Sequence, residues 1–273
     1  MPKRLLLLLL ILLAPVAASP RAELVFKYRG EPIKILSLTE LEKMVPSRDL
    51  TIFEPHEKRN RSYRVIALED LLKAVYEKRW EGHDELLITC LDGYQPTVPG
   101  PYVQAHRGYL AFASADGLPF RLNTETRGVQ ECGPFYLIWD NQSDPTMHKD
   151  ESHYWPYQVH VLDLIRFDEK FERVIPPEGA SPAARRGFAD FRRFCIMCHA
   201  INGQGGIKAE LNYPVNVTEY WEPGFLAQWI KNPQSIRHKA EMKGLAESLP
   251  ERDRVVSDLI EYLKAMKVRK IAP

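Results

Sequence analysis

The sequence predicts an α+β protein in two parts, a mixed α/β domain over residues 19–173 and an all-α domain over residues 183–273. Before residue 173, short apolar runs alternate with amphipathic helical stretches, whereas the second part shows helical periodicity alone. The prolines and glycine of residues 174–182 indicate a short, semi-stiff linker. At 273 residues, the chain is long enough for two compact domains.

Residues 1–18 have the pattern of a secretory signal peptide. Lys3 and Arg4 precede an apolar run over residues 5–13, and small residues follow at positions 16–18. The run is short for a membrane-spanning helix. We therefore expect cleavage before Ser19 and export to the periplasm, with an uncleaved membrane anchor as the alternative.

Charge is distributed unevenly along the chain. Residues 184–273 carry 15 Lys and Arg against 10 Asp and Glu, whereas residues 19–183 carry 20 against 26. This asymmetry indicates that the two parts attract each other or meet different partners, although scattered surface charge would give the same counts. The net charge of +1 argues against nucleic acid as a partner.

Strands and two helices alternate along the first domain. Ser37 and Glu40 form a capping box, which predicts a short helix that ends near residue 46. A second helix is expected over residues 68–78, where Leu71, Leu72 and Val75 make an apolar stripe. The expected strands cover residues 22–29, 51–53, 63–66, 86–90, 102–114, 117–122, 133–139 and a last segment ending near residue 167.

Three of these segments resemble the sulfite-oxidase-type, molybdopterin-binding fold. They are the strand and helix over residues 63–72, the strand and turn over residues 88–94, and the strand that begins with Gly133-Pro134. The resemblance covers residues 22–168. It implies a fold in which catalytic members bind molybdenum through a cysteine at the end of a strand, where this chain has Cys90.

The chain departs from that family at its cofactor positions. Catalytic members follow the cysteine with glycine, asparagine and arginine, but Cys90 is followed by Leu91-Asp92-Gly93-Tyr94. They also carry arginine after the glycine-proline pair, where this chain has the apolar residues 135–139. An anionic pterin needs cationic partners. We therefore expect a domain without molybdopterin that serves for docking.

Cys90 and Cys132 lie apart from the other two cysteines, at positions 195 and 198. Two such cysteines in an exported protein often pair, and a disulfide between them would close a loop of about 40 residues. Two buried free thiols and a molybdenum ligand at Cys90 are the other possibilities. The three histidines at positions 148, 153 and 160 have no tight metal-binding spacing, which favours solvent-exposed loop residues.

Cys195, Cys198 and His199 form the spacing Cys-x-x-Cys-His, which is typical of c-type haem attachment. Two thiols on one turn can each form a thioether with the same porphyrin edge, and the next imidazole then reaches the iron as the proximal ligand. A structural zinc site needs two further ligands, which no second motif supplies. A redox pair of cysteines does not require the histidine.

The residues around this motif resemble class I cytochrome c domains. By that resemblance, Gly187, Phe191 and Tyr262 pack the first helix of the domain against the last, over residues 252–266. The family has a proline whose carbonyl orients the proximal histidine, whereas this chain has Lys208-Ala209-Glu210-Leu211. We therefore expect a different carbonyl beside His199.

Met242 is the expected sixth ligand of the iron. It lies in a segment, residues 235–245, that resembles the distal methionine loop of the family and follows a helix over residues 225–231. His238 is the rival ligand. Lys208, Lys239 and Lys243 either frame an exposed haem edge for an acidic partner or serve as ordinary solubilising charge.

These features favour an electron carrier over a catalyst. With His199 and Met242 as axial ligands, a single haem c exchanges electrons with redox partner proteins and has no open iron position. The alternative is a periplasmic molybdopterin-dependent oxidoreductase that passes electrons from its substrate to its own haem c. A haem sensor or peroxidase-like protein would require that Met242 does not bind iron.

Overall fold

The computed structural model describes residues 22–82, 85–124, 128–144, 146–147 and 154–273. The signal peptide expected over residues 1–18 lies outside the described residues. Within the described part of the chain, no helix combines the length and apolar character needed to cross a bilayer.

Fourteen strands and nine α-helices are named here in chain order. The strands are β1 (Glu23–Tyr28), β2 (Glu31–Ser37), β3 (Arg48–Glu54), β4 (Arg59–Ala67), β5 (Glu85–Cys90), β6 (Thr97–Pro99), β7 (Gly108–Ser114), β8 (Arg121–Thr124), β9 (Gly128–Glu131), β10 (Tyr136–Trp139), β11 (Val159–Ile165), β12 (His199–Ile201), β13 (Gln204–Gly205) and β14 (Ala209–Glu210). The helices are α1 (Leu38–Met44), α2 (Leu68–Tyr76), α3 (Gly100–Ala105), α4 (Phe167–Lys170), α5 (Pro182–Phe194), α6 (Val217–Tyr220), α7 (Pro223–Lys231), α8 (Pro233–Ile236) and α9 (Arg252–Met266).

Two sheets and a hairpin form the first half of the chain. The first sheet has the strand order β2-β1-β11-β5-β6, with β1 parallel to β11 and the other pairs antiparallel. The second sheet has the order β10-β7-β4-β3, and β8 pairs with β9. Helix α2 buries Leu71, Leu72 and Val75, as its apolar stripe predicts. The ring of Tyr76 at its end packs edge-on against Phe26 of β1, with ring centroids 5.9 Å apart.

One local prediction for this half is confirmed and another is wrong. Ser37 and Glu40 form the capping box at the start of α1, with the Ser37 backbone N–H donating to Glu40 Oε2 over 2.8 Å. Residues 102–105 were expected in a strand, and that prediction is wrong because they belong to α3. Pro101 lies in the first turn of α3, a position that proline favours.

In the second half, α5 and α9 approach each other closely at Gly187. A Cβ atom on Gly187 would lie 1.8 Å from the carbonyl oxygen of Asp258, so only glycine fits. The rings of Phe191 and Tyr262 pack beside this contact with centroids 5.1 Å apart. The packing roles expected for these three residues are therefore confirmed.

The predicted fold class is wrong. The second half is not an all-α cytochrome c domain, because β12, β13 and β14 form a three-stranded sheet within it. The described chain is a mixed α/β structure that is mostly β-sheet with short helices. The glycines at positions 203 and 205 adopt positive φ angles, and these turns bring the short strands back beside His199.

The two halves share one hydrophobic cluster. Leu87 and Phe167 from the first half pack in the same cluster as Phe191 and Tyr262. The hydroxyl of Tyr262 donates a hydrogen bond of 2.6 Å to the carbonyl of Val174, at the boundary between the halves. The linker segment is therefore bound to the helices that follow it.

Candidate functional site

The Cys-x-x-Cys-His segment begins at the C-terminus of α5. The backbone N–H of Cys195 completes the helix by donating to the carbonyl of Phe191 over 2.9 Å. The N–H groups of Cys198 and His199 then both donate to the carbonyl of Cys195, over 3.0 and 2.9 Å. The backbone of Cys195, Cys198 and His199 therefore forms one tight turn.

The surroundings of the His199 imidazole favour its neutral form. Burial lowers the pKa of His199, since it disfavours the imidazolium, and the Ala209 backbone acts in the opposite direction. The neutral ring is the form that binds metals. Its Nδ1 atom is buried and has no hydrogen-bond partner among the described residues. Such an unsatisfied nitrogen is costly for a purely structural histidine, and it is expected where the ring acts on a group outside the polypeptide.

Strand β14 supplies the backbone that faces His199. Ala209 pairs with His199 in parallel, and the N–H of Lys208 donates to the carbonyl of Cys198 over 2.8 Å. The Lys208–Leu211 segment, which lacks the proline of the cytochrome family, thus lies beside the proximal histidine candidate. Whether its carbonyl orients the ring stays a prediction.

Two glycines leave room around this turn. A Cβ atom on Gly205 would lie 2.3 Å from the carbonyl oxygen of His199, and one on Gly206 would lie 2.4 Å from that of Met197. Gly205 also has a φ angle of +127°. Larger residues at either position would therefore push the turn that carries the thiols out of place.

A half-buried carboxylate fixes the loop between β12 and α6. Glu210 accepts hydrogen bonds from the backbone N–H groups of Asn202, Gly203, Asn212 and Tyr213, over 2.8–3.0 Å. The amides of Asn202, Asn212 and Asn216 continue this network to the last helix. Sequence analysis did not identify these residues, and the only local signal was the recurrence of asparagine.

The thiol chemistry of the motif differs from that of a reactive cysteine pair. Burial, with smaller contributions from Cys198 and Asp190, raises the pKa of Cys195 to about 12. Reactive redox cysteines have depressed pKa values, since the thiolate is the nucleophile. Among the described residues, no group of three or more His, Cys, Asp or Glu side chains is arranged to hold a metal ion. The described residues therefore offer no completed zinc site at this motif.

These features fit a covalently attached haem c. The two cysteines lie on one turn, burial disfavours the thiolate of Cys195 and the imidazolium of His199, and small residues keep side chains away from the turn. Apolar residues of the second half pack around Cys195, which provides the dry surroundings that a porphyrin requires.

Met242 lies in the loop between α8 and α9 and is half-buried. Its sulfur accepts a hydrogen bond of 3.1 Å from the indole Nε1–H of Trp229 on α7. The rival residue His238 is exposed, whereas Met266 is fully buried on α9. The contacts of Met242 connect it to α7, and its role as an iron ligand stays a prediction.

The three lysines expected at a haem edge, Lys208, Lys239 and Lys243, are all exposed. Exposure is compatible with both of their expected roles, in partner docking and in solubility. His160 lies in β11 and is half-buried, so it is not the loop residue that the sequence suggested. His148 and His153 lie outside the described residues.

Cys90 does not have the surroundings of a molybdenum ligand. It ends β5, is 4% exposed, and burial raises the pKa of its thiol, with Asp92 acting in the same direction. The strand after Gly133-Pro134 buries the four apolar or aromatic residues of β10. These residues do not fit an anionic pterin, which needs cationic partners.

Cys90 and Cys132 are both buried free thiols. Cys90 pairs with Val159, the first residue of β11. On the opposite side, the backbone N–H of Gln158, the residue before β11, donates to the carbonyl of Cys132 over 3.0 Å. Two strand spacings therefore lie between Cys90 and Cys132, which places their Cα atoms about 9–10 Å apart. A disulfide requires Cα atoms within roughly 7 Å. The geometry therefore explains why this pair is not bridged.

The turn after Cys90 contacts the Cys-x-x-Cys-His segment. The N–H of Gln95 points to the carbonyl of Met197 over 3.3 Å, and Gly93 lies against the side chain of Ile207. The first half of the chain thus borders the candidate haem site directly, which the sequence could not predict.

The comparisons with known proteins give a coarse result. No protein-family model matches the chain. The chain is similar to cytochrome c oxidase subunit 2 from Bacillus sp. (strain PS3), with 23% identity over 151 residues. The match covers 50% of this chain and 37% of that protein, so the chain spans little more than a third of its relative's length.

Proposed function

We propose that this chain is an exported electron-transfer protein that carries one covalently attached haem c. Cys195 and Cys198 would form the thioether bonds, and His199 and Met242 would be the axial ligands. The observation that carries this proposal is the single backbone turn that contains Cys195, Cys198 and His199, together with the buried His199 Nδ1, which has no hydrogen-bond partner among the described residues.

The similarity to cytochrome c oxidase subunit 2 supports electron transfer in general and contact with redox partner proteins. Haem c, when bound, exchanges one electron at a time with such partners. The residues around the haem would then have three roles. The thiols hold the group, the two axial side chains occupy the iron, and the apolar cluster excludes water.

The first half serves as a docking module that is fixed to the haem-binding half. Its turn at Gly93 and Gln95 borders the attachment segment, so a partner that binds this turn would lie close to the site of electron exchange. The signal-like residues 1–18 support export to the periplasm, where c-type haem is attached in bacteria.

Elemental analysis of the full chain tests this proposal. The protein is produced with a c-haem maturation system and a molybdenum-cofactor supply, and iron and molybdenum are measured per chain. We expect about one iron, no molybdenum, and haem that stays on the chain after denaturation. The paired variant Cys195→Ala/Cys198→Ala should lose covalent haem, whereas Cys90→Ala, the control, should keep it. Covalent haem in the paired variant, or no haem in the parent, would refute the proposal.

A further inference from the structure

Strand β2 forms an open edge of the first sheet. It pairs with β1, and among the described residues no strand pairs with its other side. The outward-facing N–H and C=O groups of such an edge can pair with an added strand. Pro32 has no N–H to donate, and the N–H of Ser37 is bonded to Glu40, so pairing is confined to residues 33–36.

A β-bulge lies at Ile33. Lys34 pairs with Phe26 and Pro32 pairs with Lys27, so Ile33 has no partner residue on β1. Successive side chains of a regular strand point to opposite faces of the sheet, and a bulge breaks this alternation. The bulge explains why the adjacent residues Ile33 and Lys34 line the same groove.

This groove lies between β2 and the end of α2 and has a volume of about 370 Å³. A volume of this size is typical of ligand-binding clefts. Ile33, Val75 and Tyr76 form its apolar part. Tyr76 is held in place because its hydroxyl donates a hydrogen bond of 2.8 Å to the carbonyl of Leu162. The groove therefore has a firm apolar wall beside the open edge of the sheet.

The charged side chains that line the groove are mainly cations. Lys34, Lys78 and Arg79 line it together with one acid, Glu77. Lys34 and Lys78 form no ion pair with another described residue, and the Arg79 guanidinium lies over the ring of Tyr28, 5.3 Å from its centroid. In a half of the chain where acids outnumber cations, the groove is a local site that fits negatively charged groups.

We propose that β2 and this groove bind an extended, acidic segment of a partner protein. The segment adds as a strand to residues 33–36, and its acidic side chains lie against the cations of the groove. Its other side chains face Ile35, a large apolar residue that is 59% exposed on the opposite face. The segment therefore alternates acidic and apolar residues. The inference rests on the docking role proposed for the first half, and it does not depend on haem.

A fluorescein-labelled peptide of alternating glutamate and valine tests the groove by fluorescence anisotropy with the full chain. We expect the paired variant Lys34→Gln/Lys78→Gln to bind the peptide about fivefold more weakly than the parent does. Arg237→Gln/Lys239→Gln is the matched control, because it removes the same charge at exposed positions outside the groove. It should bind as the parent does. Equal affinities of the parent and Lys34→Gln/Lys78→Gln would overturn the inference.

A second measurement separates strand addition from charge attraction alone. Two forms of the peptide are methylated on alternate backbone nitrogens, so that each form keeps the N–H groups of one edge only. The alternation of glutamate and valine fixes which edge faces β2. We expect one form to lose binding and the other to bind as the unmethylated peptide does. Equal binding of the two forms would contradict strand addition.

Sedimentation of the full chain tests a competing occupant. If the parent forms dimers that the peptide dissociates, a second copy of the chain occupies β2 and the inference is wrong. Failure of the haem proposal gives a different result. A chain without haem that binds the peptide refutes only the haem proposal, whereas a chain with covalent haem that does not bind it refutes only the groove.

Discussion

The guanidinium of Arg192, three residues before Cys195, forms an ion pair with the carboxylate of Glu85, the first residue of β5. Glu85 is 2% exposed, and the Arg192 guanidinium also lies over the ring of Phe167, 3.7 Å from its centroid. The helix that leads into the candidate haem site is thereby joined to the first half of the chain. The relationship suggests that the two halves unfold together.

Replacing Arg192 should weaken this junction. Arg192→Gln separates the buried Glu85 carboxylate from its guanidinium, and we expect it to lower the free energy of unfolding by about 1–3 kcal/mol. Lys34→Gln, at an exposed position of β2, is the control and should change it by less than about 0.5 kcal/mol. Urea unfolding measures both. Equal stabilities of the two variants would show that the ion pair does not contribute.

The contact between α5 and α9 predicts a strict requirement for glycine at position 187. Gly187→Ala should cost about 3 kcal/mol or more, because the added Cβ meets the backbone of Asp258 at 1.8 Å and the backbone cannot rotate away. Gly224→Ala is the control, since a Cβ there meets nothing within 4 Å and alanine favours the helix. Thermal unfolding of both variants checks the difference. A Gly187→Ala chain as stable as the parent would contradict this packing.

Glu54 predicts a pH dependence of stability. Its carboxyl is buried and accepts hydrogen bonds from the hydroxyls of Tyr63 and Tyr136, over 3.0 and 2.9 Å. Burial raises the pKa of Glu54 from 4.5 to about 7. The unfolded chain therefore releases this proton at lower pH than the folded chain does. The contribution of Glu54 to stability is fully present below pH 4.5 and is lost as pH rises to about 7.

Glu54→Gln should remove this dependence. The amide does not ionise, so the variant should gain stability over the parent as pH rises from 4.5 to about 7, by roughly 3 kcal/mol at most. Urea unfolding at a series of pH values measures how the free energy of unfolding of the parent and of Glu54→Gln changes with pH. Glu40→Gln is a control for which the change in stability should have the opposite pH dependence. The pKa of the exposed Glu40 is lowered by its hydrogen bond with Ser37, so the contribution of Glu40 to stability is lost as pH falls. If the free energy of unfolding changed equally with pH in the parent and in Glu54→Gln, Glu54 would not be the source of the pH dependence.

The loop after α8 contains two candidate ligands, and their variants should behave differently. Met242→Ala in the haem-loaded chain should abolish the long-wavelength charge-transfer band of a methionine–iron bond and lower the reduction potential. His238→Ala should leave both unchanged, because His238 is exposed. Absorption spectra and redox titration provide the readouts. A spectrum altered by His238→Ala alone would assign the ligand to His238.

The remaining cysteines predict a simple thiol count. In the haem-loaded chain, two thiols should react with iodoacetamide after denaturation without reductant, since Cys90 and Cys132 are free. In the native state both should react slowly, because burial raises their pKa values and limits access. Mass spectrometry counts the labels. Labelling that appears only after reduction would indicate a disulfide.

Local features of the structure were predictable because their causes lie within a few residues of sequence. The capping box at Ser37 sets the start of α1, Asn232-Pro233 ends α7, and an apolar stripe sets the bounds of α9 at residues 252–266. The tight turn of Cys195, Cys198 and His199 follows from their spacing in the same way. In each case the interactions span one or two helical turns.

The all-α prediction failed because β12–β14 are only two or three residues long. Strands of this length have no period that can be recognised, and they form because turns at Gly203 and Gly205 return the chain to His199. The strand prediction for residues 102–105 was wrong for a similar reason, since α3 is a short helix whose start depends on Pro101.

The sequence by itself determined the chemistry of the candidate site: two thiols and an imidazole on one turn, in a chain with a signal-like start. Only the tertiary structure decided what surrounds that chemistry. Trp229 reaches Met242 across 13 positions, and Arg192 reaches Glu85 across 107. Contacts over such separations depend on how sheets and helices pack, and packing is a property of the whole chain that no local pattern encodes.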